Sequence, residues 1–374
     1  MKLLVISHTE HYKNSAGEVV GWGPTVREIN FLASHFEKIY HCAPLHLDTP
    51  PLSSLPYEKD NISFVPLMPA GGSTLIEKLN VLFYAPGNIS IIRKTLKKID
   101  VFQFRAPTGM GVYLIPYLNF FVKKPGWFKY AGNWIMENPP FSYAFQRYLL
   151  KKQKKRKVTI NGKWPDQPDH CITFENPCLD EKELEVGWDV INKKDYKGKL
   201  DFCFVGRLEA AKGVKRILDA FQMIGKHDRI GTIHFVGDGK DRSYYENICE
   251  KIPLDFVFHG YLNRNKVAEI MKQCHVFLLP SDSEGFPKVL AEAANYGCLP
   301  VVSDVSSIGQ YISDSKNGFL IDVNDRVEFE IKSKILNIFE LKDVKEMVRN
   351  FYRISKLFTF EHYTDRIFNE ILNK

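Results

Sequence analysis

The stretch Ser281–Gly297, SDSEGFPKVLAEAANYG, carries two carboxylates, Glu284 and Glu292, with seven residues between them. Gly285-Phe286-Pro287 breaks the chain directly after the first. Pro287 suits the first turn of a helix, where its missing N–H leaves nothing unsatisfied. Glu284 therefore precedes a helix, and Glu292 lies about five residues into it, roughly 7–8 Å along its axis. The free N–H groups of that turn, at Phe286, Lys288 and Val289, form an anion site together with the helix dipole. A carboxylate on each side of a phosphate-binding helix end repels phosphate but suits sugar hydroxyls. A nucleotide sugar has that layout, with ribose on one side of the diphosphate and a hexose on the other. The plain alternative is an acid at a helix start plus an unrelated helix-surface glutamate, and on this stretch alone both readings stay open.

A second constellation is FVGRLEAAKG (204–213). A strand ends at Val205, Gly206 turns the chain, and Arg207 and Lys212 follow before the next helix. A guanidinium that binds bidentately and an ammonium point charge beside a helix N-terminus suit a diphosphate. Ordinary surface charge is the competing reading. FVGDGK (235–240) lacks the third glycine of a dinucleotide fingerprint, which excludes reading it as an NAD site. In FHGYLNRNKVAEI (258–270), Tyr261 follows a strand and either stacks on a flat base or packs on the protein. Arg105, in FQFRAPTGMG, follows another strand. It either binds a phosphate of donor or acceptor or is a buried ion-pair partner. His8 and His11 read as solvated loop residues.

These residues need a scaffold that delivers strand ends to one edge. In the first half, KLLVIS, KIYHCAP, NISFVPL, DVFQF, RKVTI and HCITF read as strands. PTVREINFLASHF, ISIIRKTLKKI, GVYLIPYL and PFSYAFQRYLLKK read as helices, and a polar loop runs from His8 to about Gly23. The polar segment 175–199 reads as a linker. Beyond it the strand–helix alternation restarts cleanly, from LDFCFVG to GFLID. Alternation of this kind predicts doubly wound parallel α/β domains. Ligands then bind outside the C-terminal strand ends.

The 374 residues suit two domains. No apolar run is long enough for a membrane span, and the opening MKLLVIS is too short for the core of a signal peptide. Seven scattered cysteines without a C-x-x-C pair point to reduced thiols rather than a zinc site. The net charge of +7 is uneven: residues 1–176 hold 22 Lys and Arg against 13 Asp and Glu, a balance of +9, and the rest hold 29 against 31, or −2. The excess peaks at KKQKKRK (151–157), after the aromatic FSYAFQRYLL. A solvated helix end, an anionic lipid surface and a phosphate-bearing acceptor all fit this cluster. No nucleic-acid motif accompanies it.

Taken in order, GRLEAAKG, VGDG, FHGYL, LLPSDSEGFPKVLAEAANYG, PVVSD and NGFLI resemble the retaining GT-B glycosyltransferases of glycosyltransferase family 4, over about residues 200–323. The resemblance implies an α/β GT-B fold of two Rossmann-like doubly wound domains facing across a cleft. It sets an N-terminal acceptor-binding domain at 1–176, a donor-binding domain at 177–356 and a final helix at 357–374 crossing back. It implies that Arg207 and Lys212 hold the donor diphosphate, and that Glu284 binds the donor sugar with the backbone of Gly285, Phe286 and Pro287. Glu292 would bind the ribose, and Val289 and Leu290 would offer main-chain contacts. Two positions depart from the family pattern. Gly21-Trp22-Gly23 replaces a glycine pair after the first strand, which makes Gly23 the candidate donor contact there. Arg105 stands where many members have a histidine near the reacting sugar, and so joins the catalytic candidates. In addition, Ser306-Ser307-Ile308 replaces a glycine-rich turn.

The expected activity is retaining, metal-independent transfer of a sugar from a nucleotide-diphosphate-sugar to a glycan or lipid-linked acceptor, in cell-surface polysaccharide synthesis. No cofactor and no metal is expected beyond the donor itself. The expected location is cytoplasmic, peripheral at the inner membrane face. The rival readings are a non-catalytic nucleotide-sugar-binding subunit and a GT-B nucleotide-sugar epimerase.

Overall fold

The computed structural model describes residues 1–69, 71, 80–323 and 326–373. The chain divides into two compact units, Met1–Glu175 with Thr364–Lys374, and Asn176–Tyr363.

The first unit contains ten strands: β1 (Lys2–Ile6), β2 (His11–Lys13), β3 (Val19–Trp22), β4 (Lys38–Pro44), β5 (Ser54–Pro56), β6 (Ile62–Leu67), β7 (Val101–Ala106), β8 (Gly126–Tyr130), β9 (Val158–Ile160) and β10 (Cys171–Thr173). Seven of them form a parallel sheet in the order β10-β9-β8-β7-β1-β4-β6. β1 and β7 are buried along nearly their whole length, as strands covered by helices on both faces must be, and β7 takes Gln103 and Arg105 inside with it. The chain winds outward one way from β1 and then restarts at β7 on its other side, which makes the β1/β7 pair the switch point.

The polar loop expected over residues 8–23 is instead a hairpin. β2 and β3 pair antiparallel, and β3 pairs with β5 to make a separate three-stranded sheet. Strands of three or four residues are too short to show an alternating pattern. β8, GWFKY, is also a strand the sequence reading did not name; it lies between β7 and β9 in the sheet.

The second unit contains β11 (Leu200–Val205), β12 (Ile230–Val236), β13 (Phe256–Gly260), β14 (Val276–Leu279), β15 (Leu299–Ser303) and β16 (Phe319–Ile321). They form a parallel sheet in the order β13-β12-β11-β14-β15-β16. This is the doubly wound dinucleotide-fold order, with its switch point between β11 and β14. Helices alternate with these strands, as the sequence alternation predicts. The expected linker is partly helical: Glu181–Lys193 forms a helix capped by Asp180, whose side chain accepts from Glu183 N at 2.8 Å while Glu183 Oε2 accepts from Asp180 N at 3.0 Å. That reciprocal pair satisfies two orphan N–H donors and starts a helix in a charge-rich segment.

At the C-terminus, helix Phe360–Arg366 carries the chain out of the second unit, and the following turn packs within the first. Arg366 pairs with Glu175 at 2.6 Å, donates to Thr173 O at 2.7 Å and lies 4.3 Å over the Phe174 ring. All seven cysteines are free, six of them buried. Among the described residues, no helix is long and apolar enough to cross a membrane.

Candidate active site

In the second unit the loops after β11 and β14 are joined backbone to backbone. Asp282 N donates to Ala211 O at 2.9 Å. Gly213 sits at φ +76°, and a Cβ there would lie 2.2 Å from Pro280 O, so only glycine fits on both counts. Arg216, on helix Val214–Ile224, donates to Pro280 O at 3.0 Å and pairs with Asp282 at 2.6 Å. Arg216 has no local signature in the sequence, because its partners lie more than sixty residues away.

This closure brings two of the expected residues together. Lys212 Nζ reaches Glu284 Oε1 at 2.5 Å, with side-chain exposures of 22 % and 11 %. Arg207 is not part of that contact. Its side chain is 72 % exposed and pairs with Glu209 at 3.2 Å, so it stands free to turn toward a ligand. The Gly-Asp-Gly turn after β12 supports the same edge from behind. Gly237 sits at φ +130° against Gly206 O, where a side chain would clash at 1.9 Å. Its glycine is therefore accounted for by packing.

Gly285 O accepts from Ser306 Oγ at 3.0 Å and Ser307 Oγ at 3.3 Å, so two hydroxyls hold the loop where a glycine-rich turn was expected. Phe286 is a core residue. Its ring stacks on Phe358 at 4.5 Å and meets Tyr311 edge-on at 4.9 Å. Burying such a ring contributes roughly 1.5–3 kcal/mol, which anchors the Gly-Phe-Pro break. The helix runs Lys288–Asn295 with Pro287 at its N-cap, one position earlier than expected. Leu290 is buried and its N–H donates to Pro287 O at 2.9 Å, while Val289 packs against the core. Ser281 Oγ, at the end of β14, is buried with no hydrogen-bond partner among the described residues.

Glu292 lies on that helix and meets Arg264 Nε at 3.2 Å. Arg264 also pairs with Glu183 and donates to Cys178 O at 2.6 Å. Burial alone would lower the Arg264 pKa; Glu292 and Glu183 outweigh it and raise it. Arg264 thus tethers Glu292 through Nε, while its two Nη groups hold Glu183 and Cys178 O. Tyr261, directly after β13, is 46 % exposed, a flat ring open to solvent.

Arg105 and Gly23 belong to the first unit. Gly23 opens helix Gly23–Ala33, and its N–H donates to Ser53 O at 2.9 Å. Arg105 is the buried ion-pair partner that one of its two readings describes. It donates to Glu28 Oε1 at 2.8 Å and Gln103 Oε1 at 2.9 Å, and Glu28 also holds Lys129 Nζ at 2.8 Å. His11, expected in solvent, is buried. A chain of hydrogen bonds runs from Ser7 Oγ to His41 Nε2 (2.8 Å), from His41 Nδ1 to Tyr57 Oη (2.5 Å), and from Tyr57 Oη to His11 Nε2 (2.8 Å). His8 is exposed, as expected.

Residues 189–360 match the family described as Glycosyl transferases group 1. The UDP-Gal:alpha-D-GlcNAc-diphosphoundecaprenol alpha-1,3-galactosyltransferase of Escherichia coli is 30 % identical over 46 % of this chain and 49 % of its own length. An uncharacterized glycosyltransferase of Methanocaldococcus jannaschii is 29 % identical over 46 % of each. The match thus spans just under half the length of these curated relatives. Among solved structures, Anabaena HepE in complex with UDP superposes with a TM-score of 0.68 over 99 % of both chains at 13 % identity. The shared fold is GT-B, two Rossmann-like doubly wound domains in one chain.

Proposed function

We propose, from the match of residues 189–360 to the glycosyl transferases group 1 family, that this chain is a retaining, metal-independent hexosyltransferase. It moves a sugar from a nucleotide-diphosphate-sugar to a glycan or lipid-linked acceptor, in cell-surface polysaccharide synthesis at the cytoplasmic face of a membrane. The observation that carries this reading is the contact of Lys212 with Glu284 at the β11/β14 switch point, where doubly wound sheets bind ligands. The UDP complex of HepE supports a nucleoside diphosphate as the leaving group, and the name of the Escherichia coli relative supports a lipid-diphosphate-linked acceptor.

Each cation at this edge is already matched by a carboxylate: Lys212 by Glu284, Arg216 by Asp282, Arg207 by Glu209. Donor binding turns Lys212 from Glu284 to a diphosphate oxygen, joined by Arg207 and the N–H groups opening helix Lys288–Asn295. Glu284, released, accepts from hydroxyls of the donor sugar. Glu292, held by Arg264, accepts from the ribose. Tyr261 offers its face to the base. The bond from the anomeric carbon to the diphosphate oxygen breaks while the acceptor oxygen bonds on the same face, and the acceptor's proton passes to the leaving diphosphate. Lys212 and Arg207 stabilise the charge that develops there, the work a metal does elsewhere. Arg105 is assigned no role in this step, because Glu28, Gln103 and Thr25 hold it in a buried ion pair.

A panel of nucleoside diphosphates and their sugars, followed by melting temperature, tests the donor. The right nucleotide at a hundred times its Kd adds about 2.7 kcal/mol of stability. Transfer assayed with and without EDTA, with the product's anomeric configuration read by NMR, tests the chemistry. No stabilisation by any nucleotide sinks the proposal. An inverted product or a rate abolished by EDTA sinks the mechanism.

A further inference from the structure

At the N-terminal edge of the seven-stranded sheet, opposite the strand ends at its switch point, the first unit holds a cavity of about 430 Å³. That size falls within the roughly 300–1,000 Å³ of small-ligand sites. Among the described residues, five Lys and Arg side chains line it, Lys123, Lys124, Lys155, Arg156 and Lys157, against one acidic side chain, Asp100. The acid is engaged, since Asp100 Oδ2 accepts from Lys2 N at 2.7 Å. The contrast with the donor edge is direct, because there every cation has its own carboxylate.

Arg156 is 5 % exposed. Its Nη2 donates to Val122 O at 2.7 Å and Lys124 O at 3.1 Å, and its guanidinium lies 5.1 Å over the Phe102 ring. Its Nε and Nη1 have no hydrogen-bond partner among the described residues. A buried guanidinium with unmade donors, and with no ion-pair partner among the described residues, is costly, and an anion drawn into the pocket relieves that cost. Lys124 and Lys155 brace the rim through Ile99 O at 2.7 Å and Val122 O at 3.1 Å. Lys123 and Lys157 are exposed, with no side-chain hydrogen bond or ion pair among the described residues. One buried residue, Val122, separates Lys123 from Phe120 and Phe121, which stand 75 % and 76 % exposed. Bare aromatics beside lysines suit the interface of an anionic bilayer.

We propose that this pocket binds a phosphate group, that of an anionic phospholipid headgroup, and so holds the first unit on the membrane surface. The pocket deepens the membrane part of the proposed function and rests on it for the source of the phosphate. The donor site lies in the other unit, so each can fail without the other.

The test uses the full chain. Binding to vesicles of phosphatidylglycerol and phosphatidylcholine is compared with pure phosphatidylcholine by co-sedimentation at low salt. Inorganic phosphate and pyrophosphate are titrated against melting temperature. Lys123→Glu with Lys157→Glu changes two exposed side chains, and Arg156→Lys keeps the charge but loses the fork. Phosphatidylglycerol vesicles are expected to bind the wild type and to lose at least about tenfold in affinity with the double variant, while nucleotide stabilisation is unchanged. Stabilisation by free phosphate, lost in the variants and unaccompanied by vesicle binding, keeps the phosphate pocket but overturns the lipid source. Equal binding of vesicles and phosphate by wild type and variants, or no binding of either, overturns the site.

Discussion

Lys212 Nζ lies 2.5 Å from Glu284 Oε1, and the two residues come from the loops on either side of the β11/β14 crossover. Neither side chain is more than a quarter exposed, so the pair is held in a partly desolvated setting where a charge without its partner is costly. The contact therefore serves two ends. It stabilises the edge of the sheet, and it stores a cation and a carboxylate next to each other for a ligand that needs both.

These two roles separate in a double-mutant cycle. Lys212→Ala and Glu284→Ala are each expected to lower transfer by at least about 100-fold, the scale of losing one donor to a developing oxyanion. Each also leaves a partly buried charge unpaired, at about 1–2 kcal/mol of stability. The double variant is expected to recover part of that stability and none of the activity. Thermal unfolding and initial rates on the four proteins check this, and near-normal transfer by either single variant would refute the catalytic assignment.

The buried triad of the first unit makes a different kind of prediction. Glu28 is 2 % exposed at its side chain and holds both Arg105 and Lys129 at 2.8 Å. Glu28→Ala strands two buried cations and is expected to cost about 3–5 kcal/mol. In a unit of this size that shifts unfolding by on the order of 10 °C. Stabilisation of the second unit by nucleotide is expected to persist in the folded fraction. A melting curve within about 2 °C of wild type would show that the triad contributes little.

The sequence displayed the β11/β14 edge of the second unit well and the first unit poorly, for a physical reason. Strands such as LDFCFV and HVFLLP are buried on both faces, so their apolar runs stand out, and the loops that follow them inherit a position. Lys212 and Glu284 each stand in a loop directly after such a strand, and the family resemblance assigns both to one site. Arg105 could not be assigned, because its partner Glu28 is 77 residues away on a helix that otherwise reads as amphipathic. Arg264 was hidden in the same way behind Glu292 and Glu183. β2 and β3 leave no pattern because three or four residues are too few to alternate, and β3 takes its second partner, β5, from more than thirty residues further on.

The His11–Tyr57–His41 chain makes the first unit sensitive to acid. Burial lowers the His11 pKa from 6.5 to about 4; the hydrogen bond to Thr9 O raises it and His46 lowers it further. His41, fully enclosed and beside His11 and Arg105, is lowered as well. Between about pH 6.5 and pH 4 the unfolded chain therefore binds a proton at His11 that the folded chain refuses. Stability is full above pH 6.5 and falls as the pH drops through that window, by at most about 1.4 kcal/mol per pH unit for each histidine so held. His11→Gln removes one titrating ring, so its melting temperature is expected to fall less between pH 7 and pH 5 than that of the wild type. Tyr57→Phe is the companion variant, because it keeps both rings while removing the hydroxyl between them. It should lower stability at pH 7 yet retain the acid slope. Identical slopes in wild type and His11→Gln would show that the acid response arises elsewhere in the fold.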